Sequence, residues 1–248
     1  MEIIPLSEGA FTIDKSKLFI PFSLEQDVLN ERATGSLLVE VQPFIVITSS
    51  DILLLDTGLG FETNGMMQIH QNLQQHGIDP STVTKVLLSH LHKDHAGGIG
   101  KEDRLSSIKE LSFPRATYYV QQRELDFAFE KGFPSYITHE LELLRESPQV
   151  VLLNEDSGTI DNYISYEVTG AHCPYHQVFW IREKEEIIFF GADDAPQLHQ
   201  MKHRFVAKYD FDGKKAMELR RQWWEDGTKE GWVFLFYHDV KTPVVVNR

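Results

Sequence analysis

The 248-residue chain is 42% hydrophobic and 25% charged, which suits a packed globular core and excludes disordered or collagen-like classes. Its 24 Lys and Arg against 37 Asp and Glu give a formal charge of −13, which repels phosphate backbones and argues against nucleic-acid binding. No apolar run approaches the roughly 20 residues of a membrane span. No basic segment precedes an apolar stretch at Met1-Glu2-Ile3-Ile4-Pro5, and the single Cys173 permits no internal disulfide. A cytoplasmic protein with no membrane partner is the expectation.

No linker or low-complexity stretch divides the chain, so residues 1–248 read as one domain. From Gly35 to Leu55, apolar runs at Leu37–Val39, Phe44–Ile47 and Ile52–Leu55 read as strands, closed by Asp56-Thr57-Gly58-Leu59-Gly60. Met66, Ile69 and Leu73 keep helical spacing, which predicts a helix over 66–76 with Gly77 just past its end. Val83 to Ser89 reads as a short buried strand running into His90, and helices are expected over 123–132 and 139–145. A second block of strands follows at 164–169, 177–181 and 186–190, ending in Gly191-Ala192-Asp193-Asp194. The patterns 42–56 and 177–193 are alike, each a hairpin closing on an acid, which hints at a duplicated β unit. Asp212 can cap a helix over 213–225, with Ala216, Leu219 and Trp223 inward and Gly227 ending it. Trp223 and Trp224 cannot both face one core, which leaves one for a subunit interface in a homo-oligomer. A last strand, 232–237, delivers His238. The class is mixed α and β.

The chemistry concentrates in Ser89-His90-Leu91-His92-Lys93-Asp94-His95-Ala96-Gly97-Gly98. Residues two apart at the end of a strand share a side, so His90 and His92 can face one metal. Asp94 and His95 fall in a turn that can send neighbouring side chains to a second metal. Gly97 and Gly98 would let the backbone turn sharply beneath the site. A lone histidine is by default a solvated or core residue; three with an aspartate behind an apolar strand match the ligands of zinc and related metals.

This stretch resembles the His-x-His-x-Asp-His signature of the metallo-β-lactamase-fold superfamily, and later elements resemble that family in order. Gly170-Ala171-His172-Cys173-Pro174-Tyr175-His176 is similar to its Thr-Pro-Gly-His-x-Pro-Gly-His element. Phe190-Gly191-Ala192-Asp193 is similar to the strand end that bears a bridging aspartate, and 232–238 to the last strand with its terminal histidine. The resemblance implies an α+β fold, a four-layer αββα sandwich. It implies one metal on His90, His92 and His172, a second on Asp94, His95 and His238, and Asp193 bridging both. Asp194 competes for the bridge, but the family's Asp-x-x-Pro pattern runs from Asp193 to Pro196. Asp56 is then the acid that orients a ligand imidazole, and Cys173 a small packing residue. Two divalent ions are the implied cofactors, zinc first, with manganese or iron also accepted.

Two carboxylates among seven ligands leave net positive charge, which favours a hydroxide bridged between the two metals and makes a metal-dependent hydrolase of small molecules the expected enzyme. Asp94 would relay a proton to the leaving group. An ester, lactone or phosphoester bond is allowed. The alternatives are an iron-dependent oxygenase or oxidoreductase on the same fold, and a sensor without turnover. Among the family's branches, His92 is not the glutamate of flavodiiron proteins, and the basic helical region of hydroxyacylglutathione hydrolases has no counterpart after His238. The tyrosine that quorum-quenching lactonases carry three positions after the bridging aspartate is replaced by Pro196. Tyr175, His176, Asp194 and His199 are candidate pocket residues, and segments 18–31, 113–134 and 197–208 candidate pocket walls.

Overall fold

The computed structural model describes residues 1–102 and 109–247, without the side chains of 101, 102 and 109. Alternating side chains along its strands build the layers. One six-stranded sheet has the order Glu2–Pro5, Phe44–Ile47, Ile52–Leu55, Lys85–Leu87, Thr117–Gln121, Val150–Leu153. Its first three strands pair antiparallel and the remaining joins are parallel. The second six-stranded sheet has the order Ser157–Ile160, Ile164–Val168, Gln177–Glu183, Glu186–Phe190, Val233–Leu235, Val244–Val246.

The inner faces meet. Phe44, Val46, Leu53, Leu55 and Leu87 of the first sheet share a core with Phe179, Ile181, Ile188, Phe190 and Leu235 of the second. The rings of Phe44 and Phe190 lie 6.1 Å apart at its centre. The alternate residues face outward. Ile45, Leu54, Val86 and Tyr118 pack under Ile69 and Leu73 of the helix Gln68–Gln75 and under Leu125 and Ala128 of the helix Gln122–Lys131. Val178, Trp180, Phe189 and Phe234 pack under Trp223 of the helix Gly213–Glu230. Helix, sheet, sheet, helix is the αββα sandwich. Each large apolar side chain so buried contributes about 1.5–3 kcal/mol, so a one-residue slip, which would invert a whole strand, is heavily penalised. A smaller sheet of Ile20–Pro21, Gly9–Ile13 and Leu37–Val41 completes the described architecture near the site. No helix is long and apolar enough to cross a membrane among the described residues.

Three local expectations are corrected. Met66 and Met67 belong to a small hairpin with Glu62–Thr63, turned by Asn64 and Gly65 at φ 55° and 78°, and the helix starts at Gln68. The helix expected over 139–145 is two short ones, Thr138–Leu141 and Leu143–Glu146. Gly227 does not end its helix, which continues to Glu230 and is closed by Gly231 at φ 74°. Gly227 is instead a seat: a Cβ there would lie 2.3 Å from the Phe234 ring. Of the two adjacent tryptophans, Trp223 is buried and Trp224 is the partly exposed one. It is half-buried, with its ring 5.2 Å from that of Phe234.

Candidate metal centre

Strand ends carry every residue of the centre. His90 and His92 follow the strand Lys85–Leu87, and a single helical turn, Lys93–Ala96, holds Asp94 and His95. His172 lies in the loop after Ile164–Val168, where its backbone N–H donates to Asp194 Oδ1 at 2.7 Å. Asp193 sits in the turn Ala192–Asp194 after Glu186–Phe190, and His238 follows Val233–Leu235. Gly97 and Gly98 lie in the turn expected of them, with neither φ positive, and they also make room for a neighbouring loop. Added Cβ atoms would lie 2.4 Å from Leu59 O and 2.2 Å from Thr57 O, so both glycines admit the loop after Asp56.

Two groups of side chains result. His90, His92, His172 and Asp193 place one ligand atom each within 4.8 Å of one another, and so do Asp94, His95 and His238. His90 Nε2 and His172 Nε2 lie 2.9 and 3.1 Å from His92 Nδ1. Asp193 joins the groups. Its Oδ2 is 3.1 Å from His172 Nε2, and its Oδ1 is 2.9 Å from His238 Nε2 and 3.1 Å from His95 Nε2. Asp94 Oδ2 lies 3.5 Å from His238 Nε2 and 3.6 Å from His95 Nε2.

The outer ring atoms are held by partners. Asp56 Oδ2 faces His95 Nδ1 at 2.8 Å and accepts from Ser89 Oγ at 2.7 Å, while its Oδ1 accepts from the Ser89 N–H. Ser89 Oγ is 3.0 Å from His90 Nδ1. Asp210 Oδ1 faces His172 Nδ1 at 2.9 Å, and the Glu40 carbonyl faces His238 Nδ1 at 2.6 Å. Each partner fixes a ring so that its other nitrogen points inward.

Burial pushes His90 and His92 well below the usual histidine range, and neighbouring imidazoles add to the effect. Burial acts the same way on His95, His172 and His238, but there the Asp193 carboxylate outweighs it and raises all three. Burial alone would raise Asp193, yet His238, His95 and His172 hold it well below the usual carboxylate range.

These residues fit a pair of cations. The donor set is five imidazoles and two carboxylates, the chemistry of zinc and similar ions. His95 Nε2 and Asp193 Oδ1 are buried and 3.1 Å apart, yet neither makes a hydrogen bond. A cation placed between them would receive a lone pair from each.

A cavity of about 560 Å³ opens beside His92, Asp94, His172, Asp193 and His238. Ile13, Phe19, Leu37, Val39 and Pro196 form its apolar wall. The four residues expected in the pocket do not line it. Asp194 is fully buried, engaged with Thr169 Oγ1, the His172 N–H and His176 Nδ1 at 3.0 Å, so it supports the His172 loop rather than bridging or meeting substrate. His176 is buried behind His90. Tyr175 packs on Phe127 and under the Arg123 guanidinium, and the His199 ring lies 4.4 Å from that of His203 at a 40° tilt. Of the expected wall segments, 18–31 contributes Phe19, 197–208 contributes only Lys208, and 113–134 contributes nothing, the wall residue beyond it being Ser135.

Sequence reasoning missed Asp210, whose distance along the chain from His172 leaves no spacing to read. It also missed Glu124, a buried carboxyl raised by burial that accepts from Leu91 N–H, Tyr136 Oη and Cys173 Sγ. Tyr136 in turn packs its ring 4.8 Å from that of His92. A glutamate in an amphipathic helix looks like a surface residue, and nothing in the pattern around it says otherwise.

A sandwich with a seven-residue centre at the strand ends defines a class: the chain belongs to the metallo-beta-lactamase superfamily, whose family model matches residues 39–213. Among curated relatives it is similar to N-acyl homoserine lactonase AttM of Azorhizobium caulinodans, 34% identical over 119 residues, 43% of this chain. AttM of Agrobacterium fabrum is 33% identical over the same length. Each match spans 38% of the relative's own length. Among solved structures, a probable metal-dependent hydrolase from Staphylococcus aureus superposes with a TM-score of 0.78 at 20% identity, covering 99% of this chain and 91% of that one. AidC, a dizinc quorum-quenching lactonase in complex with its product, superposes with a TM-score of 0.69 at 20% identity, covering 98% and 89%. At these identities the superpositions speak for the fold.

Proposed function

We propose that this chain, acting as one domain, is a dinuclear metal-dependent hydrolase that opens an ester or lactone bond in a small molecule. The observation that carries the reading is the Asp193 carboxylate, one oxygen toward His172 and the other toward His95 and His238. His90, His92 and His172 would hold one cation, Asp94, His95 and His238 the other, with Asp193 shared and zinc the first expectation. Bound there, the ions would supply Lewis acidity and a water made nucleophilic near neutral pH. The similarity to AttM supports a lactone among the substrates.

The chain's own residues account for the rest. The apolar wall of Ile13, Leu37 and Val39 binds the substrate body and excludes bulk water from the scissile group. Tyr209 also lines the cavity, its ring 6.1 Å from that of His172. Burial pushes its phenol up to about 12, so the phenol stays protonated and can donate to a substrate carbonyl. That donor answers the absence of tyrosine at Pro196. Hydrolysis adds the oxygen of water to the carbonyl carbon, breaks the acyl C–O bond and leaves an alkoxide that needs a proton. Asp94 Oδ2, facing both the cavity and His238, is placed to carry that proton.

The test is a panel of aryl esters, γ-lactones and phosphotriesters offered to protein loaded with zinc or manganese. Turnover of an ester or lactone, abolished by a chelator and restored by metal, is expected. A protein that holds two metals yet turns over no ester or lactone overturns the reading.

A further inference from the structure

The cavity has a second chemical character. Lys15, Lys17, Lys93 and Lys208 line it, against three carboxylates, those of Asp14, Asp94 and Asp193. This concentration of cations occurs in a chain of net charge −13. Lys17 and Lys93 are half-buried, and no carboxylate lies within ion-pair distance of either ammonium among the described residues. The nearest candidate for Lys17 is engaged elsewhere: Asp14 Oδ1 accepts from both the N–H and Oγ of Ser16 within the turn that the Lys17 N–H closes onto Asp14 O. The Lys93 ammonium lies 5.8 Å from the Phe19 ring centre, on the apolar side of the cavity. Two ammonium groups that line one cavity without a carboxylate partner offer the counter-charge for an anionic ligand.

We propose that the substrate of this site carries a carboxylate on an apolar body, and that Lys17 and Lys93 receive that carboxylate while the apolar wall takes the body. The proposal rests on the hydrolase reading for the word substrate; neither lysine is one of the seven metal-binding residues, although Lys93 stands between His92 and Asp94 in the chain. It also sets a direction for the bound molecule, with its scissile group toward Asp94 and Asp193 and its anionic end toward the turn 14–17.

The probes are octanoate and its uncharged isostere octanamide, titrated calorimetrically into the full-length protein as purified and again after chelation. Octanoate is expected to bind at least tenfold more tightly than octanamide, a preference that weakens several-fold between low and high salt. In Lys17→Met/Lys93→Met the preference is expected to fall to near one, and in Lys17→Arg/Lys93→Arg to return. Equal binding of the two probes by the unaltered protein overturns the proposal. So does a preference that survives in the methionine variant; if that surviving preference vanishes on chelation, the metals read the anion, which supports the hydrolase reading while removing the lysine site. A thermal melt checks folding of the double variant. Should it not fold, Lys17→Met alone, on a surface turn, carries the test, with at least a threefold loss of preference expected and no loss contradicting the proposal.

Discussion

The two sheets serve the centre in different ways. The first delivers His90, His92, Asp94 and His95 from one contiguous stretch; the second delivers His172, Asp193 and His238 from three separate loops. Their central hairpins correspond, Phe44–Ile47 with Ile52–Leu55 and Gln177–Glu183 with Glu186–Phe190, and a residue of positive φ follows each, Asp56 itself at 56° in the first and Ala192 at 40°, one position before Asp193, in the second. Yet the acids that follow do unlike work. Asp56 is buried under the centre and holds His95 from behind, whereas Asp193 stands inside it. Corresponding hairpins are therefore followed by acids in unlike positions, one behind an imidazole and one among three of them. What differs is whether the imidazole lies beyond the acid or around it.

Removing the shared acid should break the comparison hardest. Asp193→Ala is expected to drop the metal content from two per chain to one or none and to cost activity well beyond the roughly 10–100-fold of losing an outer partner. Elemental analysis and ester turnover check it; full retention of both would refute the bridging role. The outer acids come next. Asp56→Asn and Asp210→Asn should each weaken metal affinity about 10–100-fold, measured by competition with a chromophoric chelator. Asp56→Asn should also lower the melting temperature, because Asp56 accepts from the Ser89 N–H and Oγ as well; Asp210→Asn should leave it nearly unchanged.

Glycines sharpen the comparison further. Gly98→Ala meets backbone at Thr57 O, while Gly227→Ala meets the Phe234 ring, which can shift. Denaturant unfolding should show about 3 kcal/mol lost for the first and about 1–2 for the second. An effect ordered the other way would say that the loop over Gly98 yields more readily than the second sheet's outer core.

The last effect is a pH dependence carried by one residue of the first half. Glu8 is buried with Oε2 accepting from the Leu59 N–H, and burial raises its carboxyl to about 8. A raised acid stabilises the fold fully below about pH 4.5, and that contribution is lost as pH rises through about 8, amounting to a few kcal/mol at most. Glu8→Gln should therefore flatten the decline in stability between pH 5 and 8; an unchanged slope would mean that Glu8 does not titrate in that window.

How much was legible follows the same division. The contiguous half could be read because adjacent ligands on a strand end carry their own spacing. In the scattered half, each residue was reachable through the resemblance and its local motif, and Asp193 was separated from Asp194 by Pro196. Supporting contacts were legible at Asp56, which closes a recognisable hairpin, and hidden at Asp210 and Glu124, where only three-dimensional packing brings the carboxyl to its partner. The mixed α and β class was legible from the apolar runs and helical spacings, and the four layers only through the resemblance. The pocket was not, because its walls come from the turn 14–17, Leu37 and Tyr209, segments with no shared pattern.

The central claim is that two cations share Asp193. Its most direct test is metal content per chain, by elemental analysis of protein purified without a metal-binding tag and then equilibrated with zinc. The account predicts two zinc ions per chain, falling to one or none in Asp193→Ala. A single ion, or none, in the unaltered protein would contradict it.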